Sequence, residues 1–104
     1  MTEYKMYIQT SKANEFIKLS ISYNKDTFNW ATGQPKIKGY ELNAVPVKRS
    51  GMIEAFGAFT GYNTTLVKCN RRSKKRLQIA IEELNKNIDK YLQYFINQGF
   101  KIDK

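Results

Sequence analysis

The feature that most constrains this chain is a long amphipathic stretch in its last third. Apolar residues recur there at spacings of three and four, the period of one helix face. Ser73 or Asn70 can supply the N-cap oxygen, and Gly99 can supply a left-handed stop. The pattern predicts one helix over residues 73–98, about 37 Å long at ~1.5 Å per residue. Because this exceeds what a small sheet covers, we expect a homodimer through the helix; a monomer with a frayed last turn is the alternative.

A cluster of cations stands at the start of this predicted helix. A helix N-terminus carries roughly half a positive charge, so each exposed Lys or Arg there is unfavourable by about 0.3–1 kcal/mol. Basic side chains beside free N–H groups instead suit an anion, and phosphate is the common one. The cluster therefore predicts binding of a phosphate backbone, and the alternative is a solvated basic face in a lysine-rich protein. Its members are Arg71, Arg72, Lys74, Lys75 and Arg76.

Length and charge narrow the class of protein. The 104 residues suffice for one domain with a modest core. Eighteen basic and nine acidic residues give a net charge of +9, which favours a polyanionic partner. Nucleic acid fits better than a membrane surface, because no predicted helix pairs a basic face with exposed Trp and Phe. With no signal-peptide pattern, no long apolar run and one cysteine, Cys69, the expected location is cytoplasmic.

The first third of the chain is patterned for strands. Apolar and polar residues alternate on both sides of a turn at 24–26, which predicts a hairpin over residues 16–32. Residues 1–14 are weakly patterned and form either a short edge strand or a loose N-terminal arm. We expect residues 15–104 to make a single α+β domain.

Further strands are predicted between this hairpin and the helix. Residues 39–47 form one, with Pro46 marking an edge or a bulge near Val45. Residues 52–60 form the next, and residues 64–69 form a fifth strand or continue the fourth. The expected fold is therefore an antiparallel sheet of four to five strands followed by one long C-terminal amphipathic helix, with the second sheet face open to a ligand.

The sequence gives little support for catalysis. Without histidine, the chain lacks the usual general base near neutral pH and the commonest metal ligand. A single Cys69 cannot build a zinc site, and no Asp/Glu cluster has metal spacing. Glu82 and Glu83 face different directions on the helix, while salt bridges explain Glu41 and Glu54 more simply. We predict no enzyme, no metal and no cofactor.

Cations and aromatic residues together favour a surface for unpaired nucleic acid. Six of the eighteen cations fall within residues 68–76, and predicted loops on either side of the third strand add Lys36, Lys38, Lys48 and Arg49. Exposed aromatic rings on a sheet can stack bases, each worth about 1–3 kcal/mol, although strand aromatics usually belong to a core. The predicted stacking residues are Trp30, Tyr40 and Tyr62. The predicted phosphate contacts are Lys48, Arg49, Lys68, Arg71, Arg72, Lys74, Lys75 and Arg76.

Four strands followed by one helix, in a small basic protein, resemble the single-stranded DNA-binding fold of positive cofactor four and the plant Whirly proteins. In that family the helix builds a dimer and the strands cradle unpaired nucleic acid. The resemblance covers residues 15–97, concerns element order and charge, and carries over no site residue. Together, the cations and the predicted stacking residues lead us to predict a protein that binds single-stranded DNA or RNA with low sequence specificity, and the resemblance agrees with binding of unpaired nucleic acid.

A second resemblance rests on Gly39-Tyr40, Pro46-Val47 and the run from Arg72 to Lys75. At these points the chain is similar to small proteins of phages and mobile elements from AT-rich bacteria. That likeness implies an alternative function, a protein–protein interaction module with a basic surface and no catalysis. Such a module could bind its protein partner by strand addition at an exposed sheet edge.

Overall fold

An antiparallel sheet occupies the first two thirds of the chain, and two consecutive helices follow it. The computed structural model describes residues 2–25, 28–29, 32–35, 37–50, 53–56 and 61–102. The predicted α+β class is confirmed. The strands are β1 (Thr2–Gln9), β2 (Glu15–Asn24), β3 (Phe28–Asn29), β4 (Gln34–Pro35), β5 (Gly39–Ser50), β6 (Ile53–Phe56) and β7 (Tyr62–Lys68), and the helices are α1 (Lys74–Lys86) and α2 (Ile88–Asn97).

The main sheet has the order β1-β2-β5, and both β6 and β7 pair with the remaining edge of β5. Of the predicted segment 64–69, residues 64–68 lie in β7, which pairs with β5 on the same edge as β6. β6 is the described part of the predicted strand 52–60. The first 14 residues contribute β1, which lies at the edge of the sheet. The result is effectively a four-stranded sheet in which β5 is the longest and most central element.

The hairpin predicted over residues 16–32 is wrong. β2 pairs with β1 and β5, whereas β3 pairs with β4 in a separate two-stranded sheet. Both edges of β2 are already paired with longer strands, β1 and β5, so β3 has no free edge of β2 to pair with. The amide of Asn24 donates instead to the Ile37 carbonyl at 3.2 Å, which ties the end of β2 to the segment before β5.

The bulge predicted near Val45 is absent from the ladder between β2 and β5, which keeps its register from Glu15 opposite Lys48 to Asn24 opposite Gly39. The irregularity lies on the other edge of β5, where the register to β7 shifts between Tyr40 and Glu41. Among the described residues, pairing with β7 runs as far as Ala44, and pairing with β6 begins at Val47.

One sheet face makes the core under the helices, and the other is mostly polar but also carries Phe16 and the buried Val47. Residues opposite each other in a ladder share a face, and every second residue of β2 and β5 is buried against the helices. Each buried Ile or Leu side chain of this set contributes about 1.5–3 kcal/mol through burial. The fully buried residues of this face are Ile17, Leu19, Ile21, Leu42 and Ala44.

The prediction of one long helix is wrong in detail, because the helix divides at Asn87. This residue has φ −111° and ψ 19°, and both its backbone N–H (3.1 Å) and its side-chain amide (3.0 Å) donate to the Glu83 carbonyl. An Asn side chain that competes for a backbone acceptor in this way ends a helix. A new helix starts at once, with Asp89 in its first turn.

The division of the helix lets both halves of the apolar stripe reach the same core. The prediction of a homodimer assumes that the apolar stripe is too long for one sheet, but the chain's own sheet covers the buried residues of both helices. The dimer itself stays a prediction. The buried helix residues are Ala80, Leu84, Tyr91, Leu92 and Phe95.

Gly99 ends the second helix as predicted. Its φ of 103° is left-handed, its N–H donates to the Ile96 carbonyl at 3.0 Å, and the N–H of Phe100 donates to the Phe95 carbonyl at 3.1 Å. These two bonds define a Schellman motif. The rings of Phe95 and Phe100 pack edge to face at 6.0 Å, which supplies the hydrophobic contact of that motif.

Candidate nucleic-acid interface

The predicted start of the helix is confirmed, with Ser73 as the N-cap. Ser73 has extended backbone angles, and its hydroxyl oxygen accepts a hydrogen bond from the N–H of Arg76 at 3.3 Å. The first turn contains no acidic residue. The helix therefore begins with a capped but electropositive end whose first side chains, Lys74 and Lys75, add to the positive charge.

Tyr40, in strand β5, fixes the start of α1 to the sheet. Its hydroxyl accepts a hydrogen bond from the Ser73 N–H at 2.9 Å and donates one to the Ser73 carbonyl at 3.1 Å. The side chain is 2% exposed, so the prediction that Tyr40 presents its ring for base stacking is wrong. Tyr40 faces the core because its position in β5 alternates with the polar face.

Tyr23 holds the segment that precedes the N-cap. Its ring meets the ring of Tyr40 edge to face at 5.4 Å, and its hydroxyl donates to the Cys69 carbonyl at 3.4 Å. The N–H of Cys69 donates to the Lys38 carbonyl at 3.2 Å. Partial burial is the main cause that raises the pKa of the Tyr23 hydroxyl, which keeps it protonated as a donor. Both backbone polar groups of Cys69, at the beginning of the segment between β7 and α1, are therefore hydrogen-bonded.

A shallow cleft of about 560 Å³ lies beside this anchored segment. It combines cations with the 48% exposed side chain of Ile37, which is a large hydrophobic group next to charge. Together with the cations of the helix start, the cleft forms a surface that we call the basic end. Its members are Lys38, Lys68, Arg71, Arg72, Lys74, Lys75 and Arg76; the cleft itself is lined by Ile37, Lys38, Lys68, Cys69, Asn70 and Arg76.

Carboxylates neutralise little of the basic end. Arg72 lies 3.4 Å from Glu3, and its guanidinium is 5.9 Å from the centre of the Tyr23 ring, while its side chain remains 57% exposed. Across residues 2–25, 28–29, 32–35, 37–50, 53–56 and 61–102, no carboxylate forms an ion pair with the other members of the basic end. Most of this charge is therefore available to an external anion.

Lys48 and Arg49 do not extend this surface, contrary to the prediction. Gly39 of β5 lies at the basic end, and Lys48 lies nine residues further on, about 30 Å away at ~3.3 Å per strand residue. Arg49 is also engaged: its Nε lies 3.9 Å from Glu54, and its guanidinium lies 4.6 Å from the centre of the Tyr7 ring. The loop assignment failed because both residues lie inside β5.

Arg49 belongs to what we call the open-face cluster, on the polar side of the sheet. Glu54 is its centre: the Tyr7 hydroxyl donates to it, and the Lys18 ammonium donates at 3.1 Å. The hydrogen bond from Tyr7, followed by that from Lys18, holds the pKa of Glu54 below its ordinary value, and the same bond to Glu54 raises the pKa of Tyr7. The members of the cluster are Tyr7, Phe16, Lys18, Arg49 and Glu54.

Tyr62 also lies away from the basic end. It is half-buried, and its ring packs on Tyr91 at 5.7 Å and on Tyr94 at 5.2 Å in α2. It therefore stiffens the contact between sheet and helix, on the core face. Trp30 and Lys36 lie outside the described residues.

Sequence reasoning missed Ile37, Tyr23 and Glu3 as parts of this region. Ile37 carried a signal, because it is an apolar residue between two lysines in a predicted loop. Tyr23 and Glu3 carried none that is local, because the order of strands alone brings β1 and β2 next to the segment before α1.

No protein-family model, no curated protein and no solved structure matches this chain. The resemblances to the positive cofactor four and Whirly fold and to phage proteins therefore stay predictions. Within the described part of the chain, neither helix has the length and apolar character needed to cross a bilayer.

Proposed function

We propose that this protein binds single-stranded DNA or RNA, with low sequence specificity, through the basic end. The observation that carries the proposal is a helix start surrounded by seven cations, of which Arg72 alone forms an ion pair within the described residues. For folding alone, acidic residues in this turn would be better. Phosphate groups would offset the repulsion among these cations and bind the free N–H groups of the first turn. A cytoplasmic location remains part of the proposal.

The fixed position of the basic end supports phosphate binding. The hydrogen bonds of Tyr40 and Tyr23 hold the backbone from Cys69 to Ser73, so the cations project from an anchored segment rather than from a loose tail. A rigid base reduces the conformational entropy that binding costs.

Contacts to bases at the basic end need groups other than Tyr40, which is buried, and Tyr62, which packs on α2. Ile37 offers an exposed apolar side chain at the cleft, and Arg72 lies over the Tyr23 ring, where its planar guanidinium can present a face to a base. Neither group reads the hydrogen-bonding edge of a particular base, which supports low sequence specificity.

The experiment that tests the proposal is a salt titration of binding to labelled oligothymidine and oligouridine. Each single-strand phosphate that is neutralised adds about −0.7 to the slope of log affinity against log salt, so several contacts give a steep slope. The double variant Lys68→Glu/Arg76→Glu should lose about 1.4 units of that slope, as two contacts are removed.

The matched control is Lys12→Glu/Lys101→Glu, which makes the same change in net charge at the other end of the sheet. Both lysines are exposed and line a separate cleft near the end of α2. The control should keep the wild-type slope. An equal loss in both double variants, or a flat salt response of the wild type, would contradict a site at the basic end.

A second candidate function is a protein–protein interaction module. The observation that favours it is the position of β1 at the sheet edge, where β2 is its single strand partner in the described chain. Absence of oligonucleotide binding at low salt, with the fold intact, would favour this function.

A further inference from the structure

The outer edge of β1 presents backbone groups that no neighbouring strand uses in the part of the chain described here. The strand runs over eight residues, Thr2–Gln9, and its register to β2 is regular from Tyr4 onwards. A long regular edge is a template for pairing with another strand, and proteins usually protect such edges with charged side chains, proline, bulges or short strands. Of these devices β1 has the exposed Lys5 and an irregularity at its beginning, between Thr2 and Tyr4.

An apolar row accompanies this edge on the core face. Tyr4, Met6 and Ile8 lie opposite core residues of β2 and pack against the core, but each remains only half-buried. The reason is the position of α1, which packs on β5 and β7, at the edge of the sheet opposite to β1. The core therefore continues to the edge of the sheet, where these three side chains are not fully covered.

We propose that β1 pairs antiparallel with β1 of a second copy of this chain, about a two-fold axis through Met6. In this register Tyr4 lies opposite Ile8 of the second copy, and Met6 lies opposite Met6. An axis perpendicular to the sheet keeps both apolar rows on the same face, so the two cores join into one. The interface is self-complementary, as a two-fold contact requires.

The positions of the charged residues favour the register with the axis through Met6 over the neighbouring register. An axis through Lys5 would place two ammonium groups directly opposite each other, which is unfavourable, whereas the axis through Met6 places Lys5 opposite the Tyr7 ring. The antiparallel arrangement also puts the two basic ends at opposite ends of the joined strands. Repulsion between two chains of net charge +9 is thereby kept small.

Single cysteines test both the contact and its register. In a Cys69→Ser background, Met6→Cys should form a covalent dimer under mild oxidation, because the residue on the axis faces its own copy. Opposed strand residues have Cβ atoms about 4.5–5.5 Å apart, close to the disulfide range. Tyr4→Cys and Ile8→Cys serve as controls and should stay monomeric on denaturing gels. A covalent dimer at either control position, and not at Met6, would overturn the register.

Sedimentation equilibrium tests the contact without a disulfide. The wild-type protein should sediment at twice the mass of one chain, and Met6→Lys should halve that mass by opposing two ammonium groups at the axis. Gln9→Lys makes the same change in charge on the same strand, but there it faces Glu3 of the second copy and should remain dimeric. Thermal melting followed by circular dichroism checks that both variants fold. A wild-type protein that sediments as a monomer would overturn the proposal. That result is also the one expected if β1 pairs with a strand of a different protein.

Discussion

Two groups of cations on the same sheet have opposite surroundings. In the open-face cluster, Glu54 contacts Lys18 and Arg49 and accepts from Tyr7, so positive charge meets a carboxylate and aromatic rings. At the basic end, Glu3 meets only Arg72, whose side chain is more than half exposed. The two groups contain the same residue types, so composition does not distinguish them. Their carboxylate neighbours do: of these two groups, the basic end is the one whose cations, within the described residues, are mostly unpaired and can bind a ligand.

The two groups also differ in what holds them. In the open-face cluster the charged groups themselves make the contacts that fix the side chains. At the basic end, neutral hydrogen bonds of Tyr40 and Tyr23 fix the backbone and leave the charged side chains out of the framework. Removal of a charge should therefore lower stability in the open-face cluster, whereas at the basic end it should weaken binding without lowering stability.

The largest expected effect comes from the tyrosine that fixes the basic end. Tyr40→Phe removes both hydrogen bonds to Ser73 and should lower the free energy of unfolding by about 1–3 kcal/mol, at ~0.5–1.5 kcal/mol per bond. Oligonucleotide affinity should fall as well, because the helix start loses its anchor. Urea unfolding and fluorescence anisotropy measure the two effects.

Tyr94→Phe is the matched control for that loss. The Tyr94 ring packs on Tyr62 and Phe95, and its hydroxyl has no hydrogen bond among residues that the structure describes. Its removal should change the free energy of unfolding by less than about 0.5 kcal/mol. If both variants lose the same stability, Tyr40 does not anchor the helix start.

A smaller effect with a distinct pH dependence is expected from Glu54→Gln in the open-face cluster. The pKa of Glu54 is lowered in the folded protein, chiefly by the Tyr7 hydrogen bond, so between the folded and unfolded pKa values the unfolded chain binds the extra proton. The stability from Glu54 is therefore fully present above its ordinary pKa of 4.5 and is lost as pH falls through the folded pKa. The stability gap between wild type and variant should narrow in acid.

Urea unfolding from pH 7 down to pH 3 measures this gap. Glu82→Gln removes the same charge from an exposed position on α1 and serves as the control. A gap for Glu54→Gln that is constant over this range would show that the ion pairs of the cluster do not contribute to folding. Oligonucleotide binding at neutral pH should stay unchanged, in contrast to variants of the basic end.

Local signals in the sequence were sufficient for the ends of the helical region. Ser73 caps the first turn and Gly99 ends the last one, and both act within a few residues. The division at Asn87 also had a local signal, an Asn followed by an acidic residue suited to a new first turn. The prediction of one helix rested on the apolar stripe instead, and a stripe does not show whether one helix or two carry it.

Contacts between distant residues explain what the sequence did not show. Tyr40 is buried by a helix start 33 residues later, and Tyr7 meets Glu54 across 47 residues. Both contacts depend on which strands are neighbours, and strand order does not follow from alternation within each strand. For the same reason Arg49 could not be separated from the cations of the basic end before the order β1-β2-β5 was known.

The smallest expected effect separates stability from binding most clearly. Lys75→Glu replaces a cation by an acid in the first turn of α1, and should raise the free energy of unfolding by about 0.3–1 kcal/mol at low salt. The same change should weaken oligonucleotide binding, because one phosphate contact becomes a repulsion. Lys86→Glu, in the last turn of the same helix, makes an identical change in net charge but should lower stability by a similar amount. Urea unfolding and anisotropy on both variants give two pairs of values. A loss of stability in Lys75→Glu would mean that its positive charge serves the fold, and the contrast between the basic end and the open-face cluster would then disappear.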